Sequence, residues 1–188
     1  MRLLTNRIAL WLVCLCIAYA SQTSATDDAV SAKTKSQIPP TPCVERKEFS
    51  QFDFWLGSWE VHDITGKKFA GTNKIEKMPG GCVLVERWSG RGGSSGVSMN
   101  YYDSAAQQWV QVWSGSGGSQ IAIRGGLQDN SMRLDGTIQY VDSGKSARFR
   151  GTWTPLEDGR MRQFFEESPD DGKTWKPWFE GYYSRVAE

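Results

Sequence analysis

The chain has 188 residues, with 22 lysines and arginines against 21 aspartates and glutamates, nine tryptophans, four cysteines and one histidine. Charge this evenly balanced gives no basic face for nucleic acid or for an anionic membrane surface, and no phosphate-cradling glycine motif is present. A single histidine leaves no His-rich metal site, and any histidine-based catalytic triad would have to rest on His62.

Residues 1–20 read as an export signal: Arg2 and Arg7 form a basic start, Ile8 to Ile17 is apolar, and Ala18-Tyr19-Ala20 fits a small-x-small cleavage site. The apolar run is shorter than the ~20 residues a spanning helix needs, and no charged stop-transfer flank comes after it, so no stable membrane anchor is expected. Cys14 and Cys16 come directly after Val13 and Leu15, where lipid attachment would need a small residue. Cleavage removes two of the 22 basic residues, leaving 20 against 21 acidic ones. Residues 21–42 are rich in Ser, Thr, Lys, Gln and Pro without periodic apolar positions and read as a flexible linker.

The folded domain is expected over 43–188, about 145 residues and therefore room for one core. It opens on Phe52 to Glu60, where Phe52, Phe54, Trp55 and Trp59 crowd around Gly57. Rings this dense do not stay in water. They predict a short lid, a turn or two of helix within Val44 to Phe54, plugging one end of a hollow structure. Gly57 lets the chain turn so that Trp59 points inward, and an alternating strand then runs through Val61 and Ile64. Turn clusters of Gly, Asp, Asn and Pro divide the domain into strands near 58–65, 68–77, 82–89, 95–103, 107–114, 119–125, 131–140, 145–154, 160–167 and 174–186. An antiparallel meander of this count removes its edges by closing into a barrel, and eight to ten strands can enclose one small ligand. The fold class expected is all-β, an antiparallel up-and-down barrel of about ten strands with a short N-terminal lid.

Alternation proposes the inner face. It carries Val97, Met99 and Tyr101; Trp109, Gln111 and Trp113; Ile121 and Ile123; Leu134, Ile138 and Tyr140; Ala147, Phe149 and Trp153; Met161, Gln163 and Phe165. The complementary face, with Arg124, Arg133, Asp135, Arg148, Arg150 and Arg162, suits a solvated outside. Ring-lined space with a few polar handles suits a flat or elongated apolar ligand, and the alternative is that the rings fill the barrel solid. The pocket candidates are Met99, Tyr101, Trp113, Ile123, Tyr140, Phe149, Trp153, Gln163, Phe165 and Glu86.

Glu86 shares a face with Cys82, Leu84 and Trp88, but Val83, Val85 and Arg87 make an equally good inner face. Facing in, a carboxyl among rings has a raised pKa and could act as a general acid or base. The plainer reading, a polar wall residue or a solvated glutamate, is preferred from sequence. Glu166 and Glu167 are neighbours on one strand, so one points in and the other out. His62 falls outside if Trp59 and Val61 are inside.

Cys43 and Cys82 are the cysteines left after cleavage, and an oxidising compartment favours a bond between them, with two free thiols as the alternative. Ser168-Pro-Asp170-Asp-Gly172-Lys-Thr-Trp175 resembles an Asp-box, which implies a hairpin whose Ser and Asp bind turn amides over a packed Trp.

The G-x-W of Gly57 to Trp59 resembles the first-strand signature of lipocalins. Taken with G-T-N-K-I-E-K at Gly71 to Lys77, G-G-C at Gly80 to Cys82 and W-T-P-L-E-D-G-R-M-R-Q at Trp153 to Gln163, it makes the region 49–186 resemble the domain of unknown function 1579 family. That resemblance implies a small exported, mostly bacterial protein with a calycin-like barrel, periplasmic or secreted, and brings no catalytic residues. It also implies that Arg185 lies across Trp59, as the closing arginine of lipocalin-like barrels does. In size and strand number the chain is similar to nitrobindin-like barrels too, which hold haem through a late histidine. Here Tyr182 or Tyr183 would have to serve. No cofactor or metal is otherwise expected. Three functions are compatible with these features: an exported barrel binding a small hydrophobic molecule; an isomerase, cyclase or hydratase using Glu86 or Glu167 on an apolar substrate; or a ligand-free structural or partner-binding barrel.

Overall fold

A computed structural model describes residues 41–186; the export signal and all but the last two residues of the linker lie outside the described residues. Its ten strands are β1 (Gly57–His62), β2 (Phe69–Lys77), β3 (Val83–Gly90), β4 (Ser95–Asp103), β5 (Gln108–Gly115), β6 (Ser119–Gln128), β7 (Ser131–Tyr140), β8 (Ser146–Pro155), β9 (Met161–Ser168) and β10 (Lys176–Arg185), and each is antiparallel to the next. Pairing of β1 with β10 closes the barrel, so every strand has two neighbours and no edge is left open. Hairpin chemistry enforces the meander locally. Asp129 and Asn130 form the β6–β7 turn with φ of 47° and 60°, the doubly left-handed geometry that matches the twist of paired strands.

Strand β1 stops at His62, three residues short of the span expected from sequence. The Asp63 carboxylate accepts the backbone N–H and the hydroxyl of Thr65 (3.1 and 2.7 Å), pulling the chain into a turn and leaving Ile64 in solvent.

The lid consists of α1 (Pro42–Glu45), starting one residue before the domain boundary expected, and two 3-10 turns at Lys47–Ser50 and Asp53–Trp55. Phe52 and Trp55, both fully buried, stack at 4.9 Å between ring centroids and meet Trp153 at 5.2 and 5.5 Å. Three further ties hold it down. Cys43 is disulfide-bonded to Cys82, with Cα atoms 5.0 Å apart; Lys77 Nζ pairs with both Asp53 carboxylate oxygens (2.7 and 2.8 Å); and Trp109 Nε1 donates to Gln51 Oε1 (3.2 Å).

At the seam, Gly57 has φ of +126°, and a Cβ there would lie 2.6 Å from Arg185 Nη1. The glycine thus serves both the turn and the arginine. Arg185 sits 4.3 Å from the Trp59 ring centroid and donates to the carbonyl of Leu56 (2.8 Å).

Cross-strand registers assign the inner face strand by strand. It agrees with the expected parity on β5 to β9 and departs from it on β4. There Ser98 and Asn100 point inward opposite Glu86 and Leu84, while Val97, Met99 and Tyr101 point outward opposite Arg87, Val85 and Val83. Met99 is 48 % exposed. The apolar residues of this strand line the outer wall because its polar ones are needed within, where they hydrogen-bond toward Glu86.

Candidate functional site

The lumen is layered. At the lid end, Phe52, Trp55, Trp109, Met132, Leu134 and Trp153 pack solid. Across the middle runs a belt of buried polar side chains, Asn73, Glu86, Ser98, Asn100, Gln111 and Gln163, one or more from each of β2, β3, β4, β5 and β9. Beyond the belt, toward the end opposite the lid, lies a cavity of ≈ 290 Å³. Its walls are Trp88, Trp113, Ile121, Phe165, Trp178 and Phe179, and Glu86, Gln111, Gln163 and Tyr183 face it from the belt. That volume falls just short of the ~300–1,000 Å³ typical of ligand pockets, which suits a small ligand.

The belt is a directed chain of hydrogen bonds. Gln111 Nε2 donates to Asn100 Oδ1 (2.9 Å), Asn100 Nδ2 donates to Ser98 Oγ (2.8 Å), and the Ser98 hydroxyl donates to Glu86 Oε2 (2.6 Å). From the other side Asn73 Nδ2 donates to Glu86 Oε1 (2.7 Å) and reaches Tyr183 Oη at 3.3 Å. The Tyr183 hydroxyl donates to Gln163 Oε1. Both branches converge on the Glu86 carboxyl, with a longer side bond from Asn100 Nδ2 to the Leu84 carbonyl (3.4 Å).

Burial pushes the Glu86 carboxyl up to about 7, against the opposing pull of the Ser98 and Asn73 hydrogen bonds. Among the described residues, no lysine, arginine or histidine lines the cavity. Tyr183 is raised well above the ordinary phenol value, by burial first and by the Glu86 charge second.

Local sequence explains how the rings reach the cavity. Trp113 lies flat over Gly96 of the paired strand, where any Cβ would run into the indole. On β10 the register shifts between Pro177 and Phe179, so the two consecutive rings Trp178 and Phe179 both turn toward the lumen. Trp178 meets Phe149 at 5.3 Å, and its Nε1 donates to Tyr140 Oη (3.1 Å), whose hydroxyl donates to Glu167 Oε2 (2.8 Å). Trp178, Tyr140 and Glu167 form the rim. The hairpin that delivers β10 is the Ser168–Trp175 turn. Ser168 Oγ accepts the N–H of Gly172 (2.7 Å), Asp170 accepts the N–H and hydroxyl of Thr174 (2.8 and 2.7 Å), and Trp175 lies under the Arg150 guanidinium at 4.1 Å. The Thr174 amide, then its hydroxyl, hold the Asp170 carboxyl down at about 2.

Of the pocket candidates, Glu86, Trp113, Gln163 and Phe165 line the cavity. Tyr140 stands at the rim, Phe149 backs the wall against Phe165 and Trp178, Ile123 is buried on the inner face, and Trp153 belongs to the solid layer under the lid. Met99 and Tyr101 are corrected to the outer wall, because β4 turns its polar residues inward. Glu86 is 3 % exposed and lines the cavity, so of the two plain readings the polar wall residue holds and the solvated glutamate is corrected. Glu167 turns in and Glu166 out, where it pairs with Arg150 (2.7 Å).

Sequence reasoning missed Trp178 and Phe179 because a bulge breaks alternation. The adjacent Pro177, which supplies no ladder donor, was the available signal. It also left Trp88 undecided, although Trp88 and Glu86 are two residues apart and so share whichever face is inner.

Tyr182 faces outward, with its hydroxyl donating to Glu180 (3.2 Å), and Tyr183 is already hydrogen-bonded and held far from the phenolate form. Neither setting fits an axial haem ligand. Compared with family models and with curated proteins, the chain shows no match to either, so function is read from the site itself.

Proposed function

We propose that this protein is an exported binding barrel, of the kind its motifs resemble in the domain of unknown function 1579 family, and that it holds a small, largely apolar molecule in the cavity beyond the polar belt. The observation that carries this reading is the division of the lumen: one half is packed solid by the lid, while the other keeps a ring-walled space of ≈ 290 Å³ with its own polar floor. A barrel built only for closure has no reason to line an open space with five large rings. The disulfide supports an oxidising destination. No helix among the described residues is long and apolar enough to cross a membrane.

The test is titration with N-phenyl-1-naphthylamine, an uncharged apolar fluorophore. Saturable binding at about one site per chain, with quenching of tryptophan emission and weakening by Trp113→Ala, is the expected result. Unsaturable binding, or none, removes the reading.

One observation favours an acid/base enzyme as a second reading: a carboxyl raised to about 7 at the floor of the cavity stands near the pH at which proton transfer is most effective. Glu86 would be the acid/base in such an isomerase, cyclase or hydratase. Glu167 is engaged by Tyr140 at the rim, so the two carboxyls do not work as a hydrogen-bonded pair.

A further inference from the structure

Buried carboxyls are normally paired with a cation or a metal, because an isolated anion in an apolar interior is costly. Glu86 has no such partner among the described residues. The belt is nonetheless arranged to receive its ionised form. Ser98 receives its own hydrogen bond from Asn100 and therefore turns its proton to Glu86, and Asn73 donates to the other oxygen, so both carboxyl oxygens are used as acceptors. A carboxylate has about four acceptor positions, so its cavity side remains open to a cation, through a hydrogen bond for an amine and through charge alone for a quaternary ammonium. The aromatic wall is the surface to which organic cations bind, since ring faces carry negative potential.

From the unpaired carboxyl, the Ser98 and Asn73 donors turned toward it and the ring walls around it, we propose that the occupant of the cavity is a small organic cation, an amine or quaternary ammonium on an apolar body, seated with its positive end at Glu86. This rests on the binding reading and narrows it to a ligand class. The cation supplies the counter-charge that the fold withholds, and Trp88, Trp113 and Phe165 enclose it where water would otherwise solvate it. Gln163, held by Tyr183, braces the opposite side of the floor.

Occupancy is then coupled to pH. Facing Glu86 are Asn73 and Ile75 from β2, Ser98 from β4, Gln111 from β5, and Gln163 and Tyr183 from β9 and β10. Only Tyr183 among them titrates, and it is driven upward, so it stays neutral across the range in question. Glu86, at about 7, is the group that changes charge there. Glu167, the other acid that the described strands turn inward, is at the rim and serves as the control.

The experiment displaces bound N-phenyl-1-naphthylamine from the full chain with benzyltrimethylammonium or with its uncharged carbon isostere, neopentylbenzene, at about pH 8.5 and about pH 5.5, on either side of the carboxyl titration. At the higher pH the cation should displace the fluorophore at a concentration at least about tenfold below that of the isostere. That preference should shrink at the lower pH and disappear in Glu86→Gln, while Glu167→Gln keeps it. If the isostere competes as well as the cation at the higher pH, the cation proposal is overturned and the apolar-ligand reading stands. If the fluorophore itself does not bind, both fall. A preference that survives Glu86→Gln and is lost in Glu167→Gln overturns the assignment to the floor. Should Glu86→Gln fail to fold, the two probes at two pH values decide the matter on the unaltered protein.

Discussion

Arg185 lies over the ring of Trp59, 4.3 Å from its centroid, and these two residues are register partners across the β1–β10 seam that closes the barrel. The ring is 2 % exposed and its Nε1 donates to the carbonyl of Trp55 (2.9 Å), so one indole joins the seam to the lid. Trp59→Ala should therefore cost ~3–5 kcal/mol, as large-to-small aromatic changes in cores do. Arg185→Ala should cost less, on the order of 1 kcal/mol from the stacked guanidinium, plus its bond to Leu56. Urea unfolding of both variants checks this, and a neutral Trp59→Ala would contradict the closing role.

The Cys43–Cys82 bond joins the lid to the segment entering β3 across 39 residues of sequence. In the chain-entropy picture a loop of that length corresponds to roughly 4 kcal/mol, with about 2–4 kcal/mol usual in practice. Reduction should lower the melting temperature without abolishing the barrel, because the lid rings remain buried. Thiol labelling of denatured, unreduced protein taken from its native compartment, followed by peptide mapping, should find neither Cys43 nor Cys82 labelled. Label on both of these two residues would refute the bond there.

Trp113 and Trp153 are both inward-facing tryptophans, but one borders the cavity and the other is enclosed under the lid. Trp153→Ala should destabilise by ~3–5 kcal/mol, whereas Trp113→Ala should cost clearly less, since part of its ring already faces open space. Thermal melts of the two variants side by side test whether the lumen is half packed and half open. Equal losses would mean that Trp113 is a core residue after all.

Glu86 should leave a signature in the pH dependence of stability. Its folded-state value of about 7 is above the ordinary 4.5, so between those values the folded chain keeps a proton that the unfolded chain releases. The Glu86 contribution to stability should then fall as pH rises from about 4.5 to 7 and level off above, by an amount on the order of 3 kcal/mol. Glu86→Gln removes that contribution. Denaturant unfolding at about pH 5 and about pH 8 should show the variant losing less stability than the parent over this interval, and identical slopes would place the Glu86 carboxyl in water.

What the sequence determined was everything governed by local period and turn chemistry. Ten strands, the lid, the enclosed rings around Gly57 and the Ser168–Trp175 turn were legible because alternation, glycine and Asx side chains act over a few residues. The cysteine pair was legible as one of two alternatives, through count alone. Tertiary structure decided which face of β3 and β4 looks inward. Hydrophobicity argued for Val97, Met99 and Tyr101, but Asn73, Ser98, Asn100 and Gln111 come from three other strands to satisfy Glu86, and a polar network assembled across that many strands has no signature in any one of them. Tertiary structure also decided that Trp178 and Phe179 share the lumen, because a bulge resets parity only where the partner strand fixes the register. The floor of the site is thus a product of closure: a carboxyl and its donors become neighbours only when the strands that carry them are brought side by side.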